Sequence, residues 1–381
     1  MIYFDNSATT QVWEQSAARA YHAMTEGYFN PSAAYSAAYD MEKEVNAARS
    51  YAAACLSVRP EEIYFTSGGT ESNNIAIFGT LRQIRGKARI VTTMVEHASI
   101  YETILAAAKQ YQAEVVYAPL NEDGTVNINR LSEVLNEQTA LVSIMHVNNE
   151  LGSVNDLRQI ADQVRKYAPN AVFHSDGVQA FLKTDVMRLP CDLYSVSAHK
   201  FHAPKGVGFL YVRNGVRNAG GQIGGGQERG FRSGTTNVPA ILGMDTAMRL
   251  YRENSTAWHQ NIRMVKERLY SNLMTLPDVV LNGPSPKAGA MHILNLSFVG
   301  VRGEVLLHAL EQKEILVSTG SACSAKKIGK NRILTAVGIT GARQEGAIRF
   351  SFSPMNTVEE ADIAADAISQ QVRFLRRYKR R

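Results

Sequence analysis

The sequence predicts an α/β fold: a large unit with a mostly parallel, seven-stranded-type sheet flanked by helices, and a smaller α+β unit. Three observations carry this. From about residue 60 to 250, short apolar runs alternate with segments of helical periodicity, as expected when crossover helices cover a parallel sheet. After about residue 250 a long polar helical stretch leads into a strand, a helix and another strand. The length, 381 residues, exceeds what one small core requires. The expected division is 14–250 for the large unit, and 1–13 with 251–381 for the small one.

The elements follow in order. "EEIYFTSGG" (61–69) is a β-rich run ending in glycines. "TESNNIAIFGTLRQIR" (70–85) is helical, with Ile75, Phe78, Leu81 and Ile84 on one face and Thr70 before Glu71 as a start signal. "ARIVTTMVEHAS" (88–99), "TALVSIMHV" (139–147), "NAVFHSDG" (170–177), "DLYSVSAHK" (192–200) and "GVGFLYVR" (206–213) read as strands, and "LRQIADQVRKYA" (157–168) as a helix. Beyond 250 come the helical "TAWHQNIRMVKERLYSNLMTL" (256–276), the loop "NGPSPKAGA" (282–290) and the strand "HILNLSF" (292–298). A helix near "GEVLLHALEQ" (303–312) and the strand "AIRFSFSP" (347–354) complete the series.

Bulk composition excludes several classes. Hydrophobic residues make up 45% and charged residues 20%, a globular balance. No apolar run reaches the roughly eighteen residues of a membrane span. The opening "MIYFDNSATT" predicts no signal peptide. Three cysteines are too few for a disulfide framework, so a reduced, cytoplasmic setting is expected. Net charge is +6, much of it in the tail "RFLRRYKRR" (373–381). That tail reads as a solvated helix end whose cations suit the negative pole, and no direct nucleic-acid binding is expected.

The polar residues collect at strand ends, where parallel sheets bind ligands. Gly68, Gly69 and Thr70 precede a helix, a setting that favours an anion. His97, Asn148, Asn149, Glu150, Asp176, Gln179, Ser197, His199 and Lys200 end other strands. Each alone has a plain structural reading: a helix cap, a satisfied histidine, a solvated lysine. Together they match the needs of pyridoxal 5′-phosphate. Lys200 forms the Schiff base, and Asp176 keeps the pyridine nitrogen protonated. Gln179 and Asn149 meet the ring hydroxyl, and Thr70, Ser197 and His199 donate to the phosphate. His97 lies on the ring face. A lysine at a strand end is partly desolvated, so its amine can be neutral and nucleophilic. No metal site is expected.

The chain also resembles the cysteine desulfurases of the NifS/IscS type, within the class V aminotransferases and the fold-type I pyridoxal-phosphate enzymes. The segments that carry the likeness are "YFDNSATT" (3–10), "FNPSA" (29–33), "FTSGGTESNN" (65–74), "VEHAS" (95–99), "MHVNNELG" (145–152), "SVSAHK" (195–200), "PKGVGFLYVR" (204–213), "GGGQERGFRSGTTNV" (224–238), "STGSACS" (318–324) and "AIRFSFSP" (347–354). The resemblance implies that Lys200 links the cofactor, with Asp176, Gln179 and Thr70 in supporting roles. Thr235 would reach the phosphate of the partner subunit's cofactor, which makes a homodimer with shared active sites. Arg349 would grip the substrate carboxylate.

Cys55 and Cys191 sit in apolar surroundings and read as structural. Cys323, in "STGSACSAKKIGK" (318–330), predicts an exposed, mobile loop whose lysines favour thiolate. The expected reaction takes sulfur from L-cysteine, leaving L-alanine and a persulfide on Cys323, with His97 as proton donor. An iron–sulfur scaffold or a tRNA-thiolation enzyme would receive the sulfur. The competing readings are an aminotransferase or selenocysteine lyase of the same fold, and a non-enzymatic binding platform. The sequence departs from the family at Tyr35 and Ala38, at Ala203, and at the basic Lys326, Lys327 and Lys330.

Overall fold

The computed structural model describes residues 1–184, 189–320 and 331–377. Cys323 and its neighbouring lysines lie outside the described residues. Twelve strands are found among them: β1 (Ile2–Tyr3), β2 (Ile63–Thr66), β3 (Arg89–Thr92), β4 (Glu114–Tyr117), β5 (Thr139–Ser143), β6 (Val172–Asp176), β7 (Leu193–Ser197), β8 (Gly208–Val212), β9 (Val279–Asn282), β10 (Ile293–Phe298), β11 (Ile315–Leu316) and β12 (Ala347–Ser351).

Seven strands form one sheet in the order β2-β8-β7-β6-β5-β3-β4. Pairing is parallel from β7 through β4, and β8 alone runs against its neighbours. Strands β5, β7 and β8 are buried at every position, as a sheet covered on both faces requires. Neighbouring residues part company accordingly. Ile90 and Leu141 join a core with Ile77, Leu81, Ile100 and Ile104. Val91 and Val142 join another with Leu157, Ile160, Val164, Phe173 and Phe209. The period of two thus sends alternate side chains to helices on opposite faces.

A second core draws on both ends of the chain, from Ile2 and Phe4 to Ile262, Leu269, Leu296, Phe350 and Ile368. Its three-stranded antiparallel sheet runs β12-β10-β9, and β1 pairs in parallel with β11. One helix, Val238–Leu273, crosses position 250 without a break. Its first half packs in the larger core and its second half in this one. Among the described residues no helix is long and apolar enough to cross a membrane.

A buried polar relay ties the central strands. His174 on β6 meets the hydroxyl of Ser143 on β5 through Nδ1 and that of Ser195 on β7 through Nε2, both at 2.9 Å. Burial pushes the His174 pKa down to about 3. His146, whose Nδ1 meets the Tyr194 hydroxyl at 2.9 Å, is pushed to about 4 for the same reason. The unfolded chain takes up protons near pH 6.5, whereas these folded histidines do not. Their contribution is therefore complete above pH 6.5 and is lost as pH falls toward the folded values. Lowering pH from 7 to 5 should cost about 2 kcal/mol per histidine. Urea midpoints measured across that range will fall, and the slope should be shallower in His174→Gln.

Candidate active site

The loops leaving the carboxyl ends of the parallel strands enclose a cavity of about 310 Å³. Gly69, Thr70, His97, Asn149, Asp176, Gln179, Ser197, His199, Lys200 and Arg349 all line it, with Ser7, Ala8, Asn73 and Ser99. A second cavity of about 320 Å³ adjoins it, sharing Ala8, Gly69, Thr70, Ser197 and His199 and adding Gly68 and Lys205. Of the sequence-derived candidates among the described residues, Asn148, Glu150 and Thr235 line neither cavity. Thr235 is exposed, off the cavity of its own chain, and Cys323 lies outside the described residues.

Lys200 follows β7 in a single 3-10 turn, Ala198–Lys200. Its Nζ donates to the carbonyls of Ser7 at 2.6 Å and Ala8 at 2.8 Å. Burial, and then the nearby charge of Arg349, hold its pKa down to about 8, although Asp5 and Asp176 pull the other way. The amine is thus far more readily deprotonated than an ordinary lysine at physiological pH.

Asp176 closes β6 and is 5% exposed. Oδ1 accepts from Val178 N at 2.9 Å, and Oδ2 accepts from Asn73 Nδ2 at 2.9 Å. The same Asn73 nitrogen reaches Ser99 Oγ at 2.9 Å. His97 caps the helix Ala98–Tyr111: Nδ1 accepts from Ser99 N at 3.1 Å and meets Ser99 Oγ at 2.8 Å. That fixes the ring proton on Nε2. Burial lowers the His97 pKa below its usual value, so the ring is neutral at pH 7.

Several details differ from the sequence reading. The helix after β2 starts at Gly69 with Gly68 as its cap, not at Thr70. Gly68 holds a φ of +140°, which only glycine adopts without strain. A Cβ on Gly69 would stand 2.7 Å from Val178, so the chain there must stay bare. Glu71 is tied to Arg232, at 2.8 Å, and to the amide of Ser67. Gln179 already spends its amide on Ser7 O, at 2.9 Å, and faces His292 Nε2 at 3.3 Å through its oxygen. Asn148 holds the turn, accepting from Glu150 N and Leu151 N. His199 meets Thr9 Oγ1 at 3.1 Å through Nδ1, and burial lowers its pKa to about 3. It is therefore neutral at pH 7.

Among the described residues, four buried polar atoms on cavity-lining residues lack a partner: Ser7 Oγ, Asn73 Oδ1, Asn149 Oδ1 and Arg349 Nε. Orphaned polar atoms around a cavity indicate a ligand that satisfies them. A lysine amine of lowered pKa, a carboxylate, an adjoining helix start and a buried guanidinium suit a phosphorylated aldehyde cofactor with an amino-acid substrate. The amine's pKa makes a direct prediction. At pH 7 about a tenth of Lys200 is neutral at a pKa of about 8, against about 3 in 10,000 for an ordinary lysine. The rate at which apoprotein captures pyridoxal 5′-phosphate should rise with pH up to about 8 and then level off. A rise continuing toward pH 10 would contradict it.

The chain is similar to known proteins over nearly its whole length. The Aminotransferase class-V family model matches residues 2–363. "Cysteine desulfurase IscS" of Clostridium botulinum is 35% identical over 98% of this chain and 94% of its own. "NifS/IcsS protein homolog" of Lactobacillus delbrueckii subsp. bulgaricus is 40% identical over 95% and 94%. A solved structure described as a NifS-like protein superposes with a TM-score of 0.91 at 34% identity, covering 98% of this chain and 99% of that one. On this cavity, this fold and these matches, the chain belongs to the class-V aminotransferase family, among its cysteine desulfurases of the NifS/IscS type.

Proposed function

We propose that this protein takes sulfur from L-cysteine with pyridoxal 5′-phosphate as cofactor, leaving L-alanine and a persulfide on Cys323. The observation that supports it best is the Lys200 amine, its pKa lowered to about 8, in one cavity with the Asp176 carboxylate and the buried Arg349 guanidinium. When bound, the cofactor supplies an electron sink for the substrate's Cα.

Each residue then has a task. Lys200 holds the cofactor covalently and, once released, carries a proton at Nζ. Asp176, anchored by Val178 N and Asn73, keeps a negative charge against the ring nitrogen. Thr70, Ser197 and His199 hold the phosphate beside the start of the Gly69–Leu81 helix. The partner subunit's Thr235 reaches the same phosphate across a homodimer. Arg349 binds the substrate carboxylate, and Asn149 offers its free Oδ1 nearby. Neutral His97, with its proton on Nε2, serves as the donor to the departing fragment. The Cys323 thiolate bonds to the substrate sulfur; the carbon–sulfur bond breaks, and its electron pair stays with carbon, which then takes a proton.

In this reading residues 14–250 hold the cofactor, while 1–13 and 251–381 bring Arg349 and Cys323. The protein works in the cytoplasm. The sulfur passes to an acceptor protein, an iron–sulfur scaffold or a tRNA-thiolation enzyme.

Two variants test this. Lys200→Ala should lose the visible absorption of bound cofactor, and alanine formation should fall at least about a thousandfold. Cys323→Ala should keep the absorption while alanine and sulfide output fall at least about a hundredfold. Undiminished output from Cys323→Ala would remove that residue from the scheme. Amino transfer to a keto acid in place of sulfur release would favour the aminotransferase reading.

A further inference from the structure

Arg349 stands at the centre of β12 with its side chain only 4% exposed. Its Nη2 donates to Asp5 Oδ1 at 2.6 Å, and its Nη1 to the carbonyl of Asn149 at 3.1 Å. Nε is sealed from solvent without a partner. Among the described residues, Asp5 is the one carboxylate at ion-pair distance from this guanidinium.

The position of Asp5 is set by the fold. Ile2–Tyr3 runs as a strand beside Ile315–Leu316. Asp5 itself bridges to Ser351, two residues beyond Arg349. On either side, Ser351 N donates to Phe4 O at 2.7 Å, and Ser7 N donates to Ser351 Oγ at 2.8 Å. The acid is therefore delivered to the arginine by backbone pairing. It holds the guanidinium from outside the wall: Arg349 lines the cavity and Asp5 does not.

We propose that Asp5 is a built-in counter-ion of Arg349 that weakens the site's grip on carboxylates. This rests on the reading of Arg349 as receptor for the substrate carboxylate. A buried guanidinium without a counter-ion is costly, and it would collect any small anion available. Asp5 removes that cost before substrate arrives. Once a substrate carboxylate binds, two like charges share one cation, and their repulsion at a few ångströms in a partly buried site is substantial. Ligands held only by a carboxylate bind poorly, and an amino acid also anchored through its amine binds well enough. L-Alanine carries the same carboxylate as L-cysteine, so the device also keeps product affinity low.

The same charge acts on the lysine. Asp5 raises the Lys200 pKa and Arg349 lowers it. Loss of the acid should therefore move the free amine's titration downward, read as a lower pH midpoint for cofactor capture by the apoprotein and independent of ligand affinity.

The test uses the cofactor-loaded enzyme with L-alanine and acetate as probes. L-Alanine binding is measured by calorimetry and by the change in cofactor absorption. Asp5→Asn keeps an oxygen that accepts from Nη2 and removes the charge. It should bind L-alanine about 3- to 30-fold more tightly, and acetate should compete at correspondingly lower concentration. Asp5→Ser, a second uncharged variant, should shift the same way should the amide fold poorly, and Asp5→Glu should stay near wild type. Equal or weaker L-alanine binding by the uncharged variants would overturn the proposal. Arg349→Gln separates the two ideas. It should lose L-alanine binding, and undiminished binding there would instead refute the receptor reading on which the proposal stands.

Discussion

The site depends on one geometric constraint: parallel strands end at the same edge of a sheet. Strands β3, β5, β6 and β7 run in one direction, and β2 shares it because β8 alone is reversed. Their carboxyl ends therefore deliver Gly69 and Thr70, His97, Asn149, Asp176 and Lys200 to one cavity. Register sharpens this. Asp176 pairs with Ser195 across β6 and β7, so the acid stops level with the strand that carries the lysine onward. A slip of one residue would turn every side chain on β7 to the opposite face. The hydroxyl–imidazole–hydroxyl relay through His174 helps to fix that register inside the sheet.

A second constraint is electrostatic. Lys200 and Arg349 are cations buried close enough for one to lower the other's pKa. Such a pair persists in a folded protein only with acids beside it, and Asp5 supplies one from the N-terminal segment and Asp176 another from the end of β6. The N-terminal segment is thus part of the cavity wall. The carbonyls of Ser7 and Ala8 receive the lysine's protons, and Ser7 O also receives the Gln179 amide. The large sheet brings the lysine to this cavity and the three-stranded sheet brings the arginine.

Much of this was legible in the sequence, since strand ends in an α/β protein announce themselves by polar residues after apolar runs. The strand that ends at Asp176 and the one that leads to Lys200 follow from local pattern alone, and the helix after the paired glycines follows to within one residue of its start. Other features do not. β4 and β9 are four-residue strands with partly exposed positions, too short and mixed to stand out by periodicity. Asn73 is a mid-helix asparagine whose contact with Asp176 spans 103 residues. Asp5 and Ser7 contact residues more than 170 positions away, and no local signal ties an N-terminal strand to β12. Residue 250 marks a change of sequence texture, yet the chain there is one unbroken helix. Gln179 illustrates a further limit: its place at the site was readable, but its hydrogen bonds to Ser7 and His292 were not.

The central claim is that Lys200 and Asp176 face a single cofactor across one cavity. A crystal structure of the protein loaded with pyridoxal 5′-phosphate tests this most directly. The account predicts continuous density from Lys200 Nζ into the ring and the Asp176 carboxylate within hydrogen-bond distance of the ring nitrogen. Density for the cofactor elsewhere, with Lys200 still resting on the carbonyls of Ser7 and Ala8, would contradict it.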